Sequence, residues 1–454
     1  MAFVLIKKSG RVIRPSPGSA GRSAAFSLLH PADAGASAEG VPNAYRHSSI
    51  VFTLAVVFLL VMPFAVGFEW HGRINIDVGD IVYLPMLVML ATLAMRAHDG
   101  RPTFWQEMPR RRIWILYGIF ATVAYAQWSY HAGYLGGGSL YQFYRYAWKP
   151  MLMYPVVFYM AARPRGIQLV ILAVILTTDL HAVTAIQQGR AGLDVRGVMS
   201  LFHKNMLGGS FLVPLFLAIC ESMHNPSRIV RYATGCSAVL IAAALWYAVS
   251  RGAVVGAVAG ALVYMLASPR GWRLAVSLVA VAALVLMIRP DFGSTSGIMQ
   301  RFTDIENGTE ADNFAWRARE RWPHFVEIVS EHPLLGVGQA VDLTLGTDTN
   351  TPHNGYLALM VQSGIPAAVC YVLTLASVVV GAARLTRDRQ SARVRGWGAA
   401  ALAGVVAFCV HNLVETTFES GPAGYSIWIA CGLVMALTVR RRQRAAAVAV
   451  AAVA

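Results

Sequence analysis

The sequence predicts an all-α integral membrane protein with about twelve transmembrane helices and one large loop outside the bilayer. Of the 454 residues, 56% are hydrophobic and only 13% are charged, which is about half the charged share of an average soluble domain. Apolar runs long enough to cross a bilayer recur along the whole chain. Basic residues collect in alternate loops between these runs. Together these observations exclude a soluble globular fold.

The predicted spans are runs of about 17 to 22 apolar residues, the length that crosses the hydrocarbon core of a bilayer as a helix. They lie near residues 49–68, 79–96, 113–130, 146–162, 166–188, 206–222, 232–249, 252–268, 273–289, 356–383, 397–412 and 422–439. The chain therefore divides into an arm at 1–48, nine spans within 49–289, a polar loop at 290–355, three spans within 356–440 and a tail at 441–454.

The net charge of +15 is explained by topology and does not indicate nucleic-acid binding. Arginine and lysine cluster in loops that a twelve-span arrangement places on one side, and the positive-inside rule makes that side cytoplasmic. Both termini then lie on the cytoplasmic side of the membrane, and the loop 290–355 faces the other side, which is the periplasm if the host is a double-membrane bacterium. The arm 1–48 is basic and rich in Ser, Ala, Gly and Pro, so we expect it to be disordered.

The loop 290–355 carries a predicted amphipathic helix. Apolar residues recur at helical spacing from Phe314 to Ser330, and His332-Pro333 marks the end of the helix. A second helix should begin after Pro352-His353-Asn354. Its interruption at Gly364 predicts a short helix followed by a separate span.

Several basic residues fall on the predicted periplasmic side, against the charge rule, so each needs a physical reason. Arg251 interrupts an apolar stretch, Arg196 precedes His203, Lys204 and Asn205, and Arg145 follows a glycine-rich loop. One interpretation is that such side chains reach the headgroups as interfacial anchors. The other is an anion site, because the planar guanidinium pairs well with phosphate.

His353 is the candidate general base, because a neutral imidazole can accept a proton from a hydroxyl near neutral pH. Asn354 would orient the ring or the substrate, and His411 with Glu415 forms a second polar cluster predicted to support the site or contact the acceptor. No spacing typical of a metal site occurs. We therefore expect no metal and no cofactor.

Four short motifs, in this order, resemble the bacterial O-antigen ligase family, which shares a superfamily with O-antigen polymerases. The motifs are Arg196 with Phe202-His203-Lys204-Asn205, then Ser250-Arg251-Gly252-Ala253, then Arg317-x-Arg319-x-x-Trp322 with His332-Pro333, and finally Pro352-His353-Asn354-x-Tyr356-Leu357. The resemblance covers about residues 190 to 420.

The resemblance implies a metal-independent membrane glycosyltransferase with a GT-C-like architecture. Such an enzyme moves a polysaccharide from undecaprenyl pyrophosphate to the lipid A–core oligosaccharide at the periplasmic face. His353 matches the essential histidine of the family, and Arg251 and Arg196 match its functional arginines. Either Arg317 or Arg319 matches the arginine of the loop.

Two alternatives remain open at the level of sequence. An O-antigen polymerase would use the same motifs on a different acceptor. A transporter of an anionic lipid-linked sugar would place its ionisable residues near the bilayer midplane, whereas the cations here lie at one predicted membrane face. The partners expected for the enzyme are the lipid-linked O-antigen, the lipid A–core and membrane lipids, with no nucleic acid.

Overall fold

Helices make up nearly all of the described structure. The computed structural model describes residues 49–61, 67–70, 74–77, 82–88, 91, 108–131, 148–161, 165–193, 195–198, 204–248, 250–276, 317–338, 352–388, 391–418 and 421–453. Two short strands, β1 (Gly67–Trp70) and β2 (Ile74–Asp77), pair antiparallel with Gly67 opposite Asp77. The all-α prediction missed this small pair, which lies in a predicted periplasmic segment too short to show a strand pattern.

The helices follow the apolar runs of the sequence. They are α1 (Ser49–Val61), α2 (Arg111–His131), α3 (Lys149–Met151), α4 (Met153–Ala161), α5 (Gly166–Arg190), α6 (Lys204–His224), α7 (Arg228–Tyr247), α8 (Arg251–Ala267), α9 (Trp322–Glu331), α10 (Gly355–Leu385), α11 (Ala392–His411) and α12 (Gly421–Val453). Residues 317–321 form a π-helical turn that leads directly into α9. The predicted tail at 441–454 continues α12 as helix through Val453.

Five of the described helices are long and apolar enough to cross a membrane. These are α5, α6, α7, α10 and α11, and α8 is a shorter apolar helix of 17 residues. The chain is therefore a membrane protein. The number of twelve crossings and the orientation of the bundle stay predictions.

Glycines let three helices, α6, α8 and α11, approach closely. A side chain at Gly256 of α8 would meet the carbonyl oxygen of Ala407 at 2.5 Å, and one at Gly404 of α11 would meet the Cα of Val213 at 3.0 Å. In a bilayer, small residues at helix contacts are what allows such close packing. The result is a tight central bundle whose helix ends carry the polar residues described below.

Helix α10 breaks at Gly364, as the sequence predicts, where φ is +80°. The turn after α9 fits against this break through backbone hydrogen bonds. Val337 N donates to Val361 O at 2.7 Å, and Ile365 N donates to Pro333 O at 2.8 Å. Any side chain at Gly364 would collide with the carbonyl oxygen of Leu334. The loop is thus attached to α10 without relying on side-chain packing alone.

Where the sequence predicts an amphipathic helix from Phe314 to Ser330, the described residues form the π turn followed by α9. It ends at Glu331, with His332 as its C-cap. Its apolar face does not lie free, since Phe325, Ile328 and Val329 pack with Leu357 and Val361 of α10. Burial of such an apolar face is the usual driving force for docking an amphipathic helix. The predicted arm 1–48 and the loop segments 290–316 and 339–351 lie outside the described residues.

Candidate functional site

His353 is held at the start of α10 by the local backbone. Its φ of +48° is in the left-handed region, which residues other than glycine adopt rarely and often at functional sites. The next residue, Asn354, caps the helix, because its Oδ1 accepts from the backbone N–H groups of Tyr356 and Leu357 at 3.1 Å each. On the other side, Trp322 Nε1 donates to Pro352 O at 2.9 Å. The histidine is therefore fixed from both directions.

Glu415 is the side-chain partner of His353. The distance from His353 Nδ1 to Glu415 Oε2 is 3.3 Å, and the two side chains are 27% and 13% exposed. The histidine is thus accessible on one side and anchored on the other. This pairing resembles the general arrangement in which a carboxylate fixes the tautomer and orientation of a functional imidazole.

The second oxygen of Glu415 binds α6. Asn205 Nδ2 donates to Glu415 Oε1 at 2.7 Å. Burial alone would raise the pKa of Glu415, but the hydrogen bond from His353 and the nearby charges of His353, His411 and Arg317 together lower it below its usual value. Glu415 therefore stays a carboxylate at neutral pH and brings the starts of α6 and α10 together.

Arg317, in the loop before α9, contacts the segment that carries Glu415. Its Nη1 donates to the carbonyl oxygen of Val414 at 3.4 Å, and its charge contributes to the lowered pKa of Glu415. Arg321 lies one turn further on, and burial followed by the charge of Arg317 lowers the pKa of Arg321. The guanidinium group of Arg317 thus lies near Glu415, and that of Arg321 is close enough to Arg317 for the two charges to interact, an arrangement that favours an anion.

The sequence left open whether Arg317 or Arg319 belongs to the site. Arg319 is exposed, whereas Arg317 is partly buried and contacts the segment that carries Glu415. Arg317 is therefore the arginine of the two that contacts the segment next to Glu415.

Arg251 begins α8 at the same end of the bundle. The adjacent Gly252 lies against the segment after α11, since a side chain there would meet Val414 Cγ2 at 2.7 Å and Glu415 Cγ at 3.6 Å. Ser250, the N-cap residue of α8, is buried. The absence of a side chain at Gly252 lets the first turn of α8, and with it Arg251, approach Glu415.

Arg196 belongs to a short segment held against α5. Gln188 Oε1 accepts from the backbone N–H groups of Arg196 at 2.8 Å and Gly197 at 2.9 Å, and Val198 N donates to His181 Nδ1 at 3.3 Å. Gly197 has a φ of +71° and lies beside Leu207, in the second turn of α6. Arg196 is exposed and lies at the end of the bundle where Asn205 binds Glu415.

A comparison with known protein families gives a match to the middle of the chain. The family model described as O-antigen ligase matches residues 236–372. The match covers 137 of the 454 residues. The resemblance predicted from the motifs is thereby confirmed, and the match supports a membrane transferase of the ligase or polymerase type. No curated protein matches the chain.

The matched segment, residues 236–372, contains part of the site. The remainder comes from parts of the chain on either side of it. Arg251, Arg317 and His353 lie within the matched residues, whereas Arg196, Asn205 and Glu415 lie outside them. The predicted residues Lys204 and Asn205 open α6. His203 and Arg145 were also predicted as substrate-binding residues, and both lie outside the described residues.

His411 and Asn354 take positions that differ from those expected for substrate contacts. The side chain of His411 is fully buried, and its ring is packed between Gly209 of α6 and Gly252 of α8. A substrate cannot reach it in this structure, so His411 supports the segment that carries Glu415. The side-chain oxygen of Asn354 is used to cap α10, so its first role is to orient the backbone at His353.

The role of Asn412 is hard to predict from the sequence. This buried residue accepts from the backbone N–H and hydroxyl of Thr417 at 2.9 and 3.0 Å, and its carbonyl oxygen accepts from Gly355 N at 2.8 Å. It thereby fixes the turn that presents Glu415 to His353. The sequence does show Asn412 beside His411 within a polar cluster, but not which partner it binds.

The arrangement can accept a proton at His353 and bind a phosphate group with guanidinium groups nearby. Among the described residues, no three or more histidine, cysteine, aspartate or glutamate side chains are grouped so as to hold a metal ion.

Proposed function

We propose that this protein is an O-antigen ligase that transfers a polysaccharide from undecaprenyl pyrophosphate to the lipid A–core oligosaccharide at the periplasmic face of the inner membrane. The proposal includes a metal-independent mechanism and no cofactor. The observation that carries it is the contact between His353 Nδ1 and Glu415 Oε2, at 3.3 Å, in a chain whose residues 236–372 match the O-antigen ligase family.

In the proposed reaction His353 is the general base. With Nδ1 donating to Glu415, the lone pair of Nε2 is left to accept the proton of the acceptor hydroxyl. The acceptor oxygen, as it loses its proton, forms a bond to the anomeric carbon of the donor. The bond from that carbon to the pyrophosphate oxygen breaks at the same time. The leaving undecaprenyl pyrophosphate takes the electron pair. A single displacement of this kind inverts the anomeric centre.

The arginines would stabilise the charge that grows on the leaving pyrophosphate. Preorganised cations at the position where charge develops are among the largest contributions to catalysis. Arg317 and Arg251 lie nearest to the His353–Glu415 pair, and Arg196 is exposed at the same end of the bundle. We assign the pyrophosphate to these three residues, with Lys204 and Arg321 as further cations at its edge.

A polymerase of the same superfamily is the second candidate, and the acceptor distinguishes the two. A ligase uses lipid A–core, whereas a polymerase joins one lipid-linked repeat unit to another. The family description of the matched segment favours the ligase. The position of the arginines at one end of the bundle also supports an enzyme over a transporter, which would use charges near the bilayer midplane.

The test is transfer by the purified full-length protein from undecaprenyl-pyrophosphate-linked glycan to rough lipopolysaccharide. We expect product with both substrates present, with or without EDTA. Product that appears without lipopolysaccharide, as elongated lipid-linked glycan, would identify a polymerase. Loss of activity on chelation, restored by magnesium or manganese, would refute the metal-independent mechanism.

The arginine assignment is tested by Arg251→Lys, which keeps the charge and removes the planar fork. We expect a fall in transfer of about tenfold or more at unchanged expression and unchanged melting temperature, since one lost charge-assisted hydrogen bond is worth roughly 1.5–3 kcal/mol. Parent-like transfer by Arg251→Lys, together with reduced expression of Arg251→Ala, would identify Arg251 as an interfacial anchor.

A further inference from the structure

A crevice lies between α2, α10 and α12, at the end of α10 furthest from His353. It has a volume of about 500 Å³, within the range of ligand sites in proteins. Its lining residues are Pro109, Arg110, Ile113, Leu373, Ala376, Ser377, Val380, Gly381, Arg384, Met435, Thr438 and Arg442. None of these residues belongs to the candidate active site.

The lining is divided into a basic end and an apolar length. Arg110 lies in the turn before α2, Arg384 in α10 and Arg442 in α12, and all three are exposed. No acidic side chain is among the residues that line the crevice in the described part of the chain. The ion pair between Arg441 Nε and Asp388 Oδ2, at 3.5 Å, uses an arginine outside the lining.

The apolar length follows one stripe of α10. Leu373, Ala376, Val380 and Arg384 are spaced by three or four residues, so they lie on one face of the helix. From Leu373 to Arg384 this face extends about 16 Å along the axis. Leu373 and Val380 are 48% and 47% exposed, as apolar side chains are where a helix faces lipid chains.

The hydroxyl groups that line the crevice donate their protons within the protein and not to a ligand. Ser377 Oγ donates to Leu373 O at 2.6 Å, and Thr438 Oγ1 donates to Val434 O at 2.8 Å. Both groups are thus satisfied within their own helices. The polar character of the crevice is concentrated in its three guanidinium groups.

We propose that this crevice binds a membrane phospholipid with an anionic headgroup. The three arginines would hold the phosphate and any further acidic group, and one acyl chain would lie along the stripe from Val380 to Leu373. A free phosphate would satisfy the arginines but leave the apolar length unused. A zwitterionic lipid would fill that length but neutralise the arginines less completely, so the combined lining favours an anionic phospholipid.

Lipid retention by the full-length protein tests the proposal. The protein is purified from nanodiscs that contain equal amounts of phosphatidylglycerol and phosphatidylethanolamine with identical acyl chains, and the retained lipid is quantified by native mass spectrometry. A basic residue at a membrane surface strengthens binding of anionic lipid about fivefold. We therefore expect the Arg110→Gln/Arg384→Gln/Arg442→Gln variant to lose phosphatidylglycerol selectivity by roughly ten- to a hundredfold.

The matched control replaces three arginines outside the lining. Arg228, Arg387 and Arg444 are exposed, and Arg228→Gln/Arg387→Gln/Arg444→Gln removes the same charge. This variant should retain lipid like the parent. Equal loss in both triple variants would reduce the effect to general surface charge and overturn the proposal.

A second variant tests the apolar length without altering charge. Ala376 is exposed, so Ala376→Trp should fill the crevice without disturbing the core, and we expect it to displace the retained phosphatidylglycerol. Unchanged retention in Ala376→Trp would contradict the position of the acyl chain. Displacement of the lipid by millimolar inorganic phosphate alone would show a phosphate site and would also overturn the proposal.

Discussion

The two ends of α6 and α11 use polar residues in opposite ways. At one end, Asn205 and the segment after His411 form the partly open site around Glu415 and His353. At the other end, about 24 Å along α6, Glu221 is 1% exposed and surrounded by donors. Glu221 is fully hydrogen-bonded within the protein, whereas the site around Glu415 and His353 stays accessible on one side.

The closed end is a buried, saturated cluster. Glu221 accepts from Trp397 Nε1 at 2.6 Å, from Arg393 Nη2 at 3.1 Å and from the side chain of Asn225. The guanidinium of Arg393 also lies over the ring of Trp397, at 4.7 Å from its centre. A buried carboxylate is tolerated only when it is paired in this way. This end holds α6 and α11 together.

The open end is built from the same types of residue with one essential difference. Glu415 has a partner on each oxygen, but its partner His353 is 27% exposed and has a strained backbone. Stability alone does not require an exposed imidazole at positive φ. The difference fits a structural role for the closed end and supports the catalytic role that we propose for the open end.

The largest expected effect is a loss of transfer activity from a substitution at the open end. His353→Ala should lower transfer by about 10²–10⁴-fold, the usual contribution of a general base, with donor binding and melting temperature nearly unchanged. The measurement is the single-turnover transfer rate. The matched control is His324→Ala, an exposed histidine of α9, which should transfer like the parent.

His353→Gln sharpens this prediction. Glutamine can hydrogen-bond an acceptor hydroxyl but cannot accept its proton near neutral pH, so it should stay as inactive as the alanine variant. If glutamine restores most of the transfer, His353 positions the acceptor. If the alanine variant fails to fold, the open end is structural, and the comparison between the two ends does not hold.

The next effect should appear in stability, at the closed end. Arg393→Ala leaves Glu221 buried with one charged partner removed, and breaking a buried ion pair costs about 3–5 kcal/mol. We expect a large fall in the melting temperature of the detergent-solubilised protein, with transfer per folded molecule unchanged. Arg387→Ala, at an exposed arginine nearby, should change neither quantity. A catalytic defect in folded Arg393→Ala would show that the two ends are coupled.

Glu415→Gln tests whether the open end uses its carboxylate to orient His353. The amide keeps the size of the side chain but not its charge, and loss of a partner that orients a functional histidine typically costs about 10–100-fold in activity. We expect the fall in kcat, with little change in KM for the donor, since the arginines remain. A change confined to KM would instead indicate that Glu415 acts through substrate binding.

Arg317 and Arg319 form a matched pair within one turn of the loop. Arg317→Lys should lower transfer by about tenfold, because lysine cannot reproduce the guanidinium fork. Arg319→Lys should have no effect, since that side chain is exposed. Steady-state rates at saturating acceptor measure both. The reverse order of effects would assign the pyrophosphate to Arg319 and refute the geometric choice made between the two arginines.

The sequence predicted the parts of the site that depend on local patterns. The helix start after Asn354, the break at Gly364 and the end of α9 at His332 all follow from capping and glycine or proline signals, and the structure confirms each. Contacts between distant segments could not be predicted in this way. Glu415 is 62 residues from His353 and 210 from Asn205, and only the packing of α6, α8 and α11 brings them together.

His411 is a second residue whose role depends on contacts between distant segments. A histidine beside asparagine at a predicted membrane face is typical of a supporting residue and also of an acceptor contact, so the sequence leaves both roles open. The glycines at 209 and 252, which enclose its ring, are 202 and 159 residues away in the chain. Whether a polar side chain faces a substrate or a helix contact is decided by such distant small residues, and a single sequence does not show which ones meet.

The smallest expected effect is the dependence of stability on pH at the open end. The pKa of Glu415 is lowered from its ordinary value of 4.5, because the hydrogen bond from His353 and the neighbouring positive charges outweigh the opposing effect of burial. A depressed carboxyl pKa contributes stability that is fully present above the unfolded value and is lost as the pH falls through the folded value. The parent should therefore melt above Glu415→Gln at pH 7, and this difference should shrink as the pH is lowered below 4.5 towards 3. Thermal melting of both proteins in the same detergent across this range measures it. A difference that stays constant, or grows at acid pH, would show that Glu415 is not held as a carboxylate by the groups around it.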